Sequence, residues 1–252
     1  MGRIRPICIS IAGFDPSGGA GVLADIKSFE QLKTLGLAVQ TCNTLQVEDY
    51  FEKVIWTPQE VILSQLELLL KRYTPAAIKI GLIENSEVLI AVLSKIKEYH
   101  PQVPIVWDPV LQPSFNQGEV MDEARFQMNL QKIIDAVDIL TPNAPEYVRL
   151  NLKETSTKKL YVKGGHTEEV LGSDFKQKEG RDFLVTAKGV KSLNAQGKGF
   201  IPKHGTGCML SSALAAYIAR GFDFHKASVR AKAYVYKRAS SNASLLAYHN
   251  NG

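Results

Sequence analysis

The chain has 252 residues, of which 45% are hydrophobic and 22% charged, a composition typical of a globular protein with one large core. Its 30 basic and 25 acidic residues are scattered, so the net charge of +5 favours small anionic ligands and argues against nucleic acid. There is no apolar run of membrane-spanning length, no signal peptide, and no disulfide framework in the three separated cysteines. We therefore expect a soluble cytoplasmic protein, without a membrane partner, that forms a single domain over residues 1–252.

In the first half of the chain, short β-branched runs alternate with segments of helical periodicity. The predicted strands are residues 6–12, 38–43, 53–57, 77–80 and 104–108, and the predicted helices are residues 20–35, 58–72 and 86–98. Because parallel strands need crossover connections, this order predicts an α/β fold with a mostly parallel central sheet and helices on both faces, a three-layer α/β/α sandwich.

The second half is predicted to continue the same sheet. Strands are expected at residues 139–141, 160–163, 182–187 and 190–193, and a short helix after the turn at 142–146. A polar loop is expected at 110–121 and a glycine-rich loop at 197–199. One long helix should follow residue 205 and end at Arg220-Gly221, and a last helix should cover 224–243.

A Gly205-Thr206-Gly207-Cys208 turn leads directly into the first of these two helices. The two glycines let the backbone approach a ligand closely, and the unpaired N–H groups of a helix start attract anions. A phosphoryl group is therefore the expected guest. Cys208 lies in the first turn, where the helix dipole favours a thiolate, although a buried cysteine in a packing helix is the plain alternative.

Residues 13–21 form a glycine-rich loop between a strand and a helix. The loop matches neither the dinucleotide fingerprint nor the phosphate-binding loop, and Asp15 would repel a phosphate. We expect it to close over a neutral organic substrate, with Asp25 as a hydrogen-bond acceptor; a structural turn with solvated acids is the alternative. His204 either orients the Gly205 turn or faces solvent, and we favour solvent.

Polar side chains follow several predicted strands, and the carboxyl ends of parallel strands meet at one edge of a sheet. Asn143, Glu146 and Lys163 provide an amide donor, a carboxylate and an ammonium group, the set that a nucleoside triphosphate with magnesium requires. Asp108, at another strand end, is a second carboxylate for the metal. Gln46, placed on the loop after strand 38–43, presents a donor and an acceptor that suit an aromatic nitrogen beside an exocyclic amine.

Together these motifs resemble the hydroxymethylpyrimidine/phosphomethylpyrimidine kinases of thiamine biosynthesis, a branch of the ribokinase superfamily. The resemblance spans essentially the whole chain, and its first and last motifs are the specific ones. In chain order the motifs are Ala12-Gly-Phe-Asp-Pro-Ser-Gly-Gly-Ala-Gly21, Ala24-Asp-Ile-Lys27, Lys79-Ile-Gly-Leu82, Asp108-Pro-Val110, Asn143-Ala-Pro-Glu146, Lys163-Gly-Gly-His166 and His204-Gly-Thr-Gly-Cys208.

The resemblance implies a ribokinase-like fold and ATP- and Mg²⁺-dependent phosphorylation of 4-amino-5-hydroxymethyl-2-methylpyrimidine, and then of its monophosphate. By the family pattern Asp25 and Gln46 hold the substrate, and its pocket is lined by Gly13, Ala20, Leu82 and Val110. Gly205, Thr206 and Gly207 form the anion hole. Cys208, where most of the superfamily carries an aspartate, is the candidate base. The expected partners are the pyrimidine and ATP, and the expected assembly is a homodimer.

Two other functions remain open. A pyridoxal kinase is the second enzyme, because relatives with the cysteine motif also phosphorylate vitamin B6 alcohols. The other is a ligand-binding relative without catalysis, which the short connection of sixteen residues between Glu146 and Lys163 makes conceivable. Phe14, in place of a small polar residue, and the sequence after Val110 also depart from the family pattern.

Overall fold

The computed structural model describes residues 4–111, 123–152, 158–164, 181–194 and 203–249. Its centre is a nine-stranded sheet with the order β3-β2-β1-β4-β5-β6-β7-β8-β9. The strands are β1 (Ile7–Phe14), β2 (Leu35–Val47), β3 (Tyr50–Trp56), β4 (Ala77–Ile80), β5 (Ile105–Trp107), β6 (Ile139–Leu140), β7 (Lys159–Val162), β8 (Asp182–Thr186) and β9 (Gly189–Leu193). The strands from β2 through β7 in this order pair in parallel, and β3, β8 and β9 are antiparallel to their neighbours.

Helices cover both faces of this sheet. They are α1 (Gly21–Gln31), α2 (Gln59–Arg72), α3 (Ser86–Tyr99), α4 (Glu123–Ala136), α5 (Ala144–Arg149), α6 (Thr206–Ala219) and α7 (Phe224–Ala239). On one face α2, α3 and α4 pack side by side, and on the other α1, α6 and α7 do so. The predicted three-layer α/β/α sandwich with a mostly parallel sheet is therefore confirmed.

Successive side chains along the central strands point to opposite faces of the sheet and so contribute to two separate cores. Ile9 and Ile11 of β1 belong to the cluster under α2, α3 and α4, whereas Cys8 belongs to the cluster under α1, α6 and α7. Each such aliphatic side chain, fully removed from water, contributes about 1.5–3 kcal/mol. Because both faces of the sheet are buried, apolar residues follow one another along these strands, without the alternation of apolar and polar residues that a half-exposed strand shows.

Several predicted boundaries were wrong. Helix α1 ends at Gln31, because the chain turns through Lys33 at a φ of 62° and begins β2 at Leu35. Helix α7 ends at Ala239, four residues before the expected end. The extension of β2 to Val47 also corrects the position of Gln46, which lies in this strand rather than in a loop.

Helix α4 (Glu123–Ala136) was missed. Its apolar positions Phe126, Leu130 and Ile133 are buried and follow helical spacing, but the many polar residues between them weakened the signal. Three features of the sequence analysis lie outside the described residues: most of the loop at 110–121, the glycine-rich loop at 197–199, and the last two residues of the Lys163-Gly-Gly-His166 motif.

Candidate active site

The Gly205 turn packs against the N-terminal glycine-rich loop. Gly205 is the N-cap of α6 and has a φ of 73°, a left-handed conformation that favours glycine. A Cβ atom at Gly205 would lie 1.9 Å from the carbonyl oxygen of Gly19. The sequence analysis expects a phosphoryl group at the Gly205 turn and a neutral organic substrate at the glycine-rich loop. The backbones of these two loops are in contact, and α6 begins where they meet.

A buried His204–Asp15 pair joins the same two loops. Nε2 of His204 lies 2.8 Å from Oδ2 of Asp15, and both side chains are almost fully buried. Asp15 also accepts hydrogen bonds from the backbone N–H groups of Ser17 and Ala20. Burial alone would raise the pKa of Asp15, but the hydrogen bonds from His204, Ser17 and Ala20 lower it below its ordinary value.

One expectation, on His204, is corrected here, and one alternative, on Asp15, is ruled out. His204 does not face solvent, since only 6% of it is exposed; it holds the glycine-rich loop. Asp15 is not a solvated acid, because its carboxylate organises its own turn. A local turn motif gives no sign of a partner 189 residues away, and so the sequence could not settle either point.

The C-terminal segment, residues 240–249, closes over the outer side of this junction. Nζ of the buried Lys203 donates to the backbone carbonyl and side-chain oxygen of Asn242, at 2.6 and 2.9 Å, and to the carbonyl of Ser244. The backbone N–H of His204 donates to the carbonyl of Leu245 at 2.9 Å. The residues just before the Gly205 turn are therefore held in place by the C-terminal segment.

Asp25 lies at the centre of a buried polar cluster. Its carboxylate accepts hydrogen bonds from Ser10 at 2.5 Å, from Ser212, and from Nζ of Lys79 at 2.8 Å. Lys79 and Asp25 are both completely buried. Sequence reasoning does not identify Lys79 as a site residue. Its motif, Lys79-Ile-Gly-Leu82, begins in a strand whose pattern predicts an apolar environment.

Cys208 is half-buried in the first turn of α6, beside the start of α1. Burial raises the pKa of its thiol to about 11, although the Lys79 ammonium and a hydrogen bond from the backbone N–H of Gly21 oppose this shift, and Asp25 and Asp108 add to it. Desolvation is therefore the larger effect in the protein without substrate, and it outweighs the preference for a thiolate that the first turn of a helix gives.

The strand ends of β5, β6 and β7 bring two carboxylates to one ammonium group. Nζ of Lys163 lies 2.7 Å from Asp108 and 3.9 Å from Glu146. Thr141 and Ser211 each donate a hydrogen bond of 3.1 Å to Asp108. The predicted convergence of these groups at one edge of the sheet is confirmed.

Asn143 and Glu146 also form a reciprocal capping box at the start of α5. The backbone N–H of Asn143 donates to Glu146 at 2.7 Å, and the backbone N–H of Glu146 donates to Oδ1 of Asn143 at 2.8 Å. Burial raises the pKa of Glu146 to about 7, with Lys163 opposing the shift and Asp108 adding to it. The cap thus holds a carboxylate that protonates near neutral pH beside the ammonium group.

The residues expected to line a substrate pocket lie around the ends of β1, β2, β4 and β5. A Cβ atom at Gly13 would lie 2.7 Å from Sγ of Cys42 and 3.4 Å from the side chain of Leu82. Leu82 and Val110 are half-buried, and Gln46 is half-buried near the end of β2. Ala20 is the N-cap of α1. These residues lie in or just after strand ends at the same edge of the sheet as Cys208.

Among the described residues, no group of three histidine, cysteine, aspartate or glutamate side chains has a geometry suited to a metal ion. Asp108 and Glu146 together offer two carboxylates, and Mg²⁺ is commonly bound by one or two carboxylates with water and phosphate oxygens. The donor set therefore fits a cation that arrives with a phosphate chain. In the part of the chain that the structure describes, no helix is both long and apolar enough to span a membrane.

Phosphoryl transfer from a nucleotide to a small alcohol needs cationic groups and carboxylates opposite an anion-binding turn, and this edge of the sheet has that arrangement. The fold and the site together define a small-molecule kinase of the ribokinase-like class. The particular family follows from comparison. The family model described as phosphomethylpyrimidine kinase matches residues 15–251, and the chain belongs to that family.

Known relatives agree with this assignment. The chain is 30% identical over 247 residues to a hydroxymethylpyrimidine/phosphomethylpyrimidine kinase of Aquifex aeolicus, and the match covers 95% of this chain and 96% of the relative. A crystal structure of phosphomethylpyrimidine kinase from Clostridium difficile 630 has 26% identity and a TM-score of 0.74, covering 92% of this chain and 99% of that one. The structure of pyridoxal kinase from Staphylococcus aureus in complex with ADP has 25% identity and a TM-score of 0.79, covering 95% and 89%.

Proposed function

We propose that the protein transfers the γ-phosphoryl group of ATP to the hydroxymethyl group of 4-amino-5-hydroxymethyl-2-methylpyrimidine, and then to the monophosphate. The observation that carries the proposal is the contact between the two halves of the site. A Cβ atom at Gly207, in the anion-binding turn, would lie only 3.3 Å from Nζ of Lys163. A phosphoryl group bound beside this contact would meet both the backbone N–H donors of the turn and the Lys163 ammonium group.

Lys163 neutralises phosphate charge on the nucleotide side. Asp108 and Glu146 would hold Mg²⁺, which supplies further neutralisation of the phosphate oxygens when bound. Because Lys163 already bridges the two carboxylates, its ammonium group can turn from them toward phosphate oxygens without crossing the site. Gly205, Thr206 and Gly207 supply the opposite wall, where negative charge accumulates during transfer.

Cys208 is the proposed acceptor of the substrate hydroxyl proton, and only its thiolate form can take that proton up. Because the pKa of the thiol lies near 11 in the protein without substrate, the thiolate is the minority form there at neutral pH. In a loose phosphoryl-transfer transition state the attacking oxygen carries little positive charge until late, so proton removal contributes less to the rate than positioning does. Asp25, Gln46 and the apolar Leu82 and Val110 are the proposed substrate contacts, with Asp25 held in place by its buried cluster.

The test is ADP formation by the purified protein with ATP and Mg²⁺ on two alcohols, the pyrimidine and pyridoxal. We expect kcat/KM for the pyrimidine to exceed that for pyridoxal at least tenfold, because the amide of Gln46 complements a ring nitrogen beside an amino group. Nucleotide analogue binding without ADP formation on either alcohol would instead support the ligand-binding relative without catalysis.

Pyridoxal kinase is the second candidate function. The observation that favours it is the similarity to the Staphylococcus aureus pyridoxal kinase over 95% of this chain. A clear preference for pyridoxal in the same assay would establish this alternative and overturn the pyrimidine assignment, while leaving the phosphoryl-transfer site unchanged.

The homodimer and the single domain over residues 1–252 stay predictions, to be checked by light scattering and limited proteolysis. A cytoplasmic location is proposed on the three free thiols Cys8, Cys42 and Cys208, which suit a reducing compartment.

A further inference from the structure

Lys79 is a completely buried lysine close to the proposed site. It lies in β4, and its Nζ is 2.8 Å from Oδ2 of Asp25, which is buried to the same extent. A Cβ atom at Gly81 would lie 2.7 Å from this Nζ, so the ammonium group reaches the end of the strand, where the substrate pocket begins. Burying two charges is costly, and a well-packed apolar pair of similar volume is often as stable. Stability alone therefore does not explain the pair.

The pair lies one helical turn away from Cys208. At the first contact between α1 and α6, the backbone N–H of Gly21 faces the Cys208 thiol. At the next contact, Ser212 of α6 donates to Asp25 of α1. Asp25 lies four positions after Gly21 in α1, and Ser212 lies four positions after Cys208 in α6. The two contacts between the helices are therefore about 6 Å apart along the helix axes. Inside the protein, charges about one helical turn away act on the thiol, and both Lys79 and Asp25 do so.

Within the described ranges, charged groups from four elements act on Cys208. Asp25 of α1 and Asp108 after β5 disfavour a negative charge on the sulfur, and Lys79 of β4 favours it. Lys163 after β7 is the second cation that interacts with this thiol. The positive charge of Lys79 therefore opposes the effect of the Asp25 carboxylate on the pKa of the Cys208 thiol.

We propose that Lys79 is a positioning residue for Cys208: its buried ammonium group fixes the Asp25 carboxylate and keeps the field at the thiol from becoming strongly negative. It acts through these two side chains. The consequence for turnover rests on the proposed function, because it assumes that Cys208 takes up a proton during phosphoryl transfer. The electrostatic part holds for any reaction at this site.

The test measures thiolate content directly. The rate of Cys208 alkylation by iodoacetamide is followed at pH 8.5 by mass spectrometry of the Cys208 peptide, in the full chain without ligands. Only the thiolate reacts, so the rate reports its fraction. Cys8 and Cys42 are internal references, because both are fully buried and burial raises the pKa of each to about 12.

The variants are Lys79→Met and Lys79→Gln, with Ser212→Ala as the matched control that removes a hydrogen bond to Asp25 without removing a charge. We expect both Lys79 variants to alkylate about tenfold more slowly than wild type, corresponding to a rise of about one unit in the thiol pKa. The control should stay within about twofold of wild type. Lys79→Gln keeps a hydrogen-bond donor, a neutral amide in place of the ammonium group, and a similar volume, so it keeps the test open if Lys79→Met does not fold.

An unchanged rate in Lys79→Gln overturns the proposal, because it would mean that a neutral donor replaces the ammonium group fully. A faster rate also overturns it, since loosened packing exposes the thiol and accelerates alkylation. If alkylation slows as expected but no ADP forms with any alcohol in the wild type, the electrostatic role stands and the proposed function fails.

Discussion

Replacing Gly205 by alanine tests whether the anion-binding turn depends on its contact with the glycine-rich loop. The new Cβ atom would lie 1.9 Å from the Gly19 carbonyl oxygen, whereas real Cβ atoms essentially never come closer than 3.0 Å. One of the two backbones must therefore move by at least about 1 Å. The φ of 73° adds about 1–2 kcal/mol of left-handed strain.

Gly221→Ala, at the other end of helix α6, is the matched control. Gly221 also has a positive φ, of 86°, but, apart from its chain neighbours, no atom of the described residues lies within 4 Å of its would-be Cβ. Its variant therefore carries the left-handed strain without the displacement, about 20 Å from the turn along the helix. A comparison of the two variants separates backbone strain from loss of the Gly205–Gly19 contact.

We expect Gly205→Ala to lower kcat for the pyrimidine at least about a hundredfold, because a shift of about 1 Å misaligns the N–H groups that face the phosphoryl group. Gly221→Ala should stay within about twofold in kcat, although both variants should lower the unfolding temperature. ADP formation gives the rates, and circular dichroism melting gives the stabilities. A Gly205→Ala enzyme with kcat within threefold of wild type would refute the reasoning, as would an equal loss of activity in Gly221→Ala.

Three further predictions concern single side chains. Cys208→Ala should lower kcat about 10²–10⁴-fold while KM for the pyrimidine changes less than threefold, and near-normal turnover would exclude the base assignment. Asp15→Asn should lower the unfolding temperature at pH 7. Because the folded-state pKa of Asp15 is depressed, the difference in unfolding temperature between wild type and variant should shrink as the pH falls below about 4. A difference that stays constant across the pH range would contradict this. Lys163→Met should weaken AMP-PCP binding at least tenfold by calorimetry, whereas unchanged affinity would remove Lys163 from the nucleotide site.

The class of fold was available from the sequence because it depends on local patterns. Apolar runs of strand length alternate with helical periodicity through most of the chain, and both faces of a parallel sheet must be covered. Helix α4 was not predicted because many polar residues lie between its buried positions, Phe126, Leu130 and Ile133. The convergence of Asp108, Glu146 and Lys163 also followed from the sequence, since parallel strands end at the same edge.

What the sequence by itself determined is therefore the layered fold, the family resemblance and the set of groups at one edge of the sheet. Only the tertiary structure decided how those groups are held and charged. His204 reaches Asp15 across 189 residues, and Lys79 reaches Asp25 across 54. The protonated state of Cys208 likewise depends on burial by α1 and on charges from other elements. Burial and pairing between distant segments are properties of the packed molecule, and no local pattern of residue types encodes them.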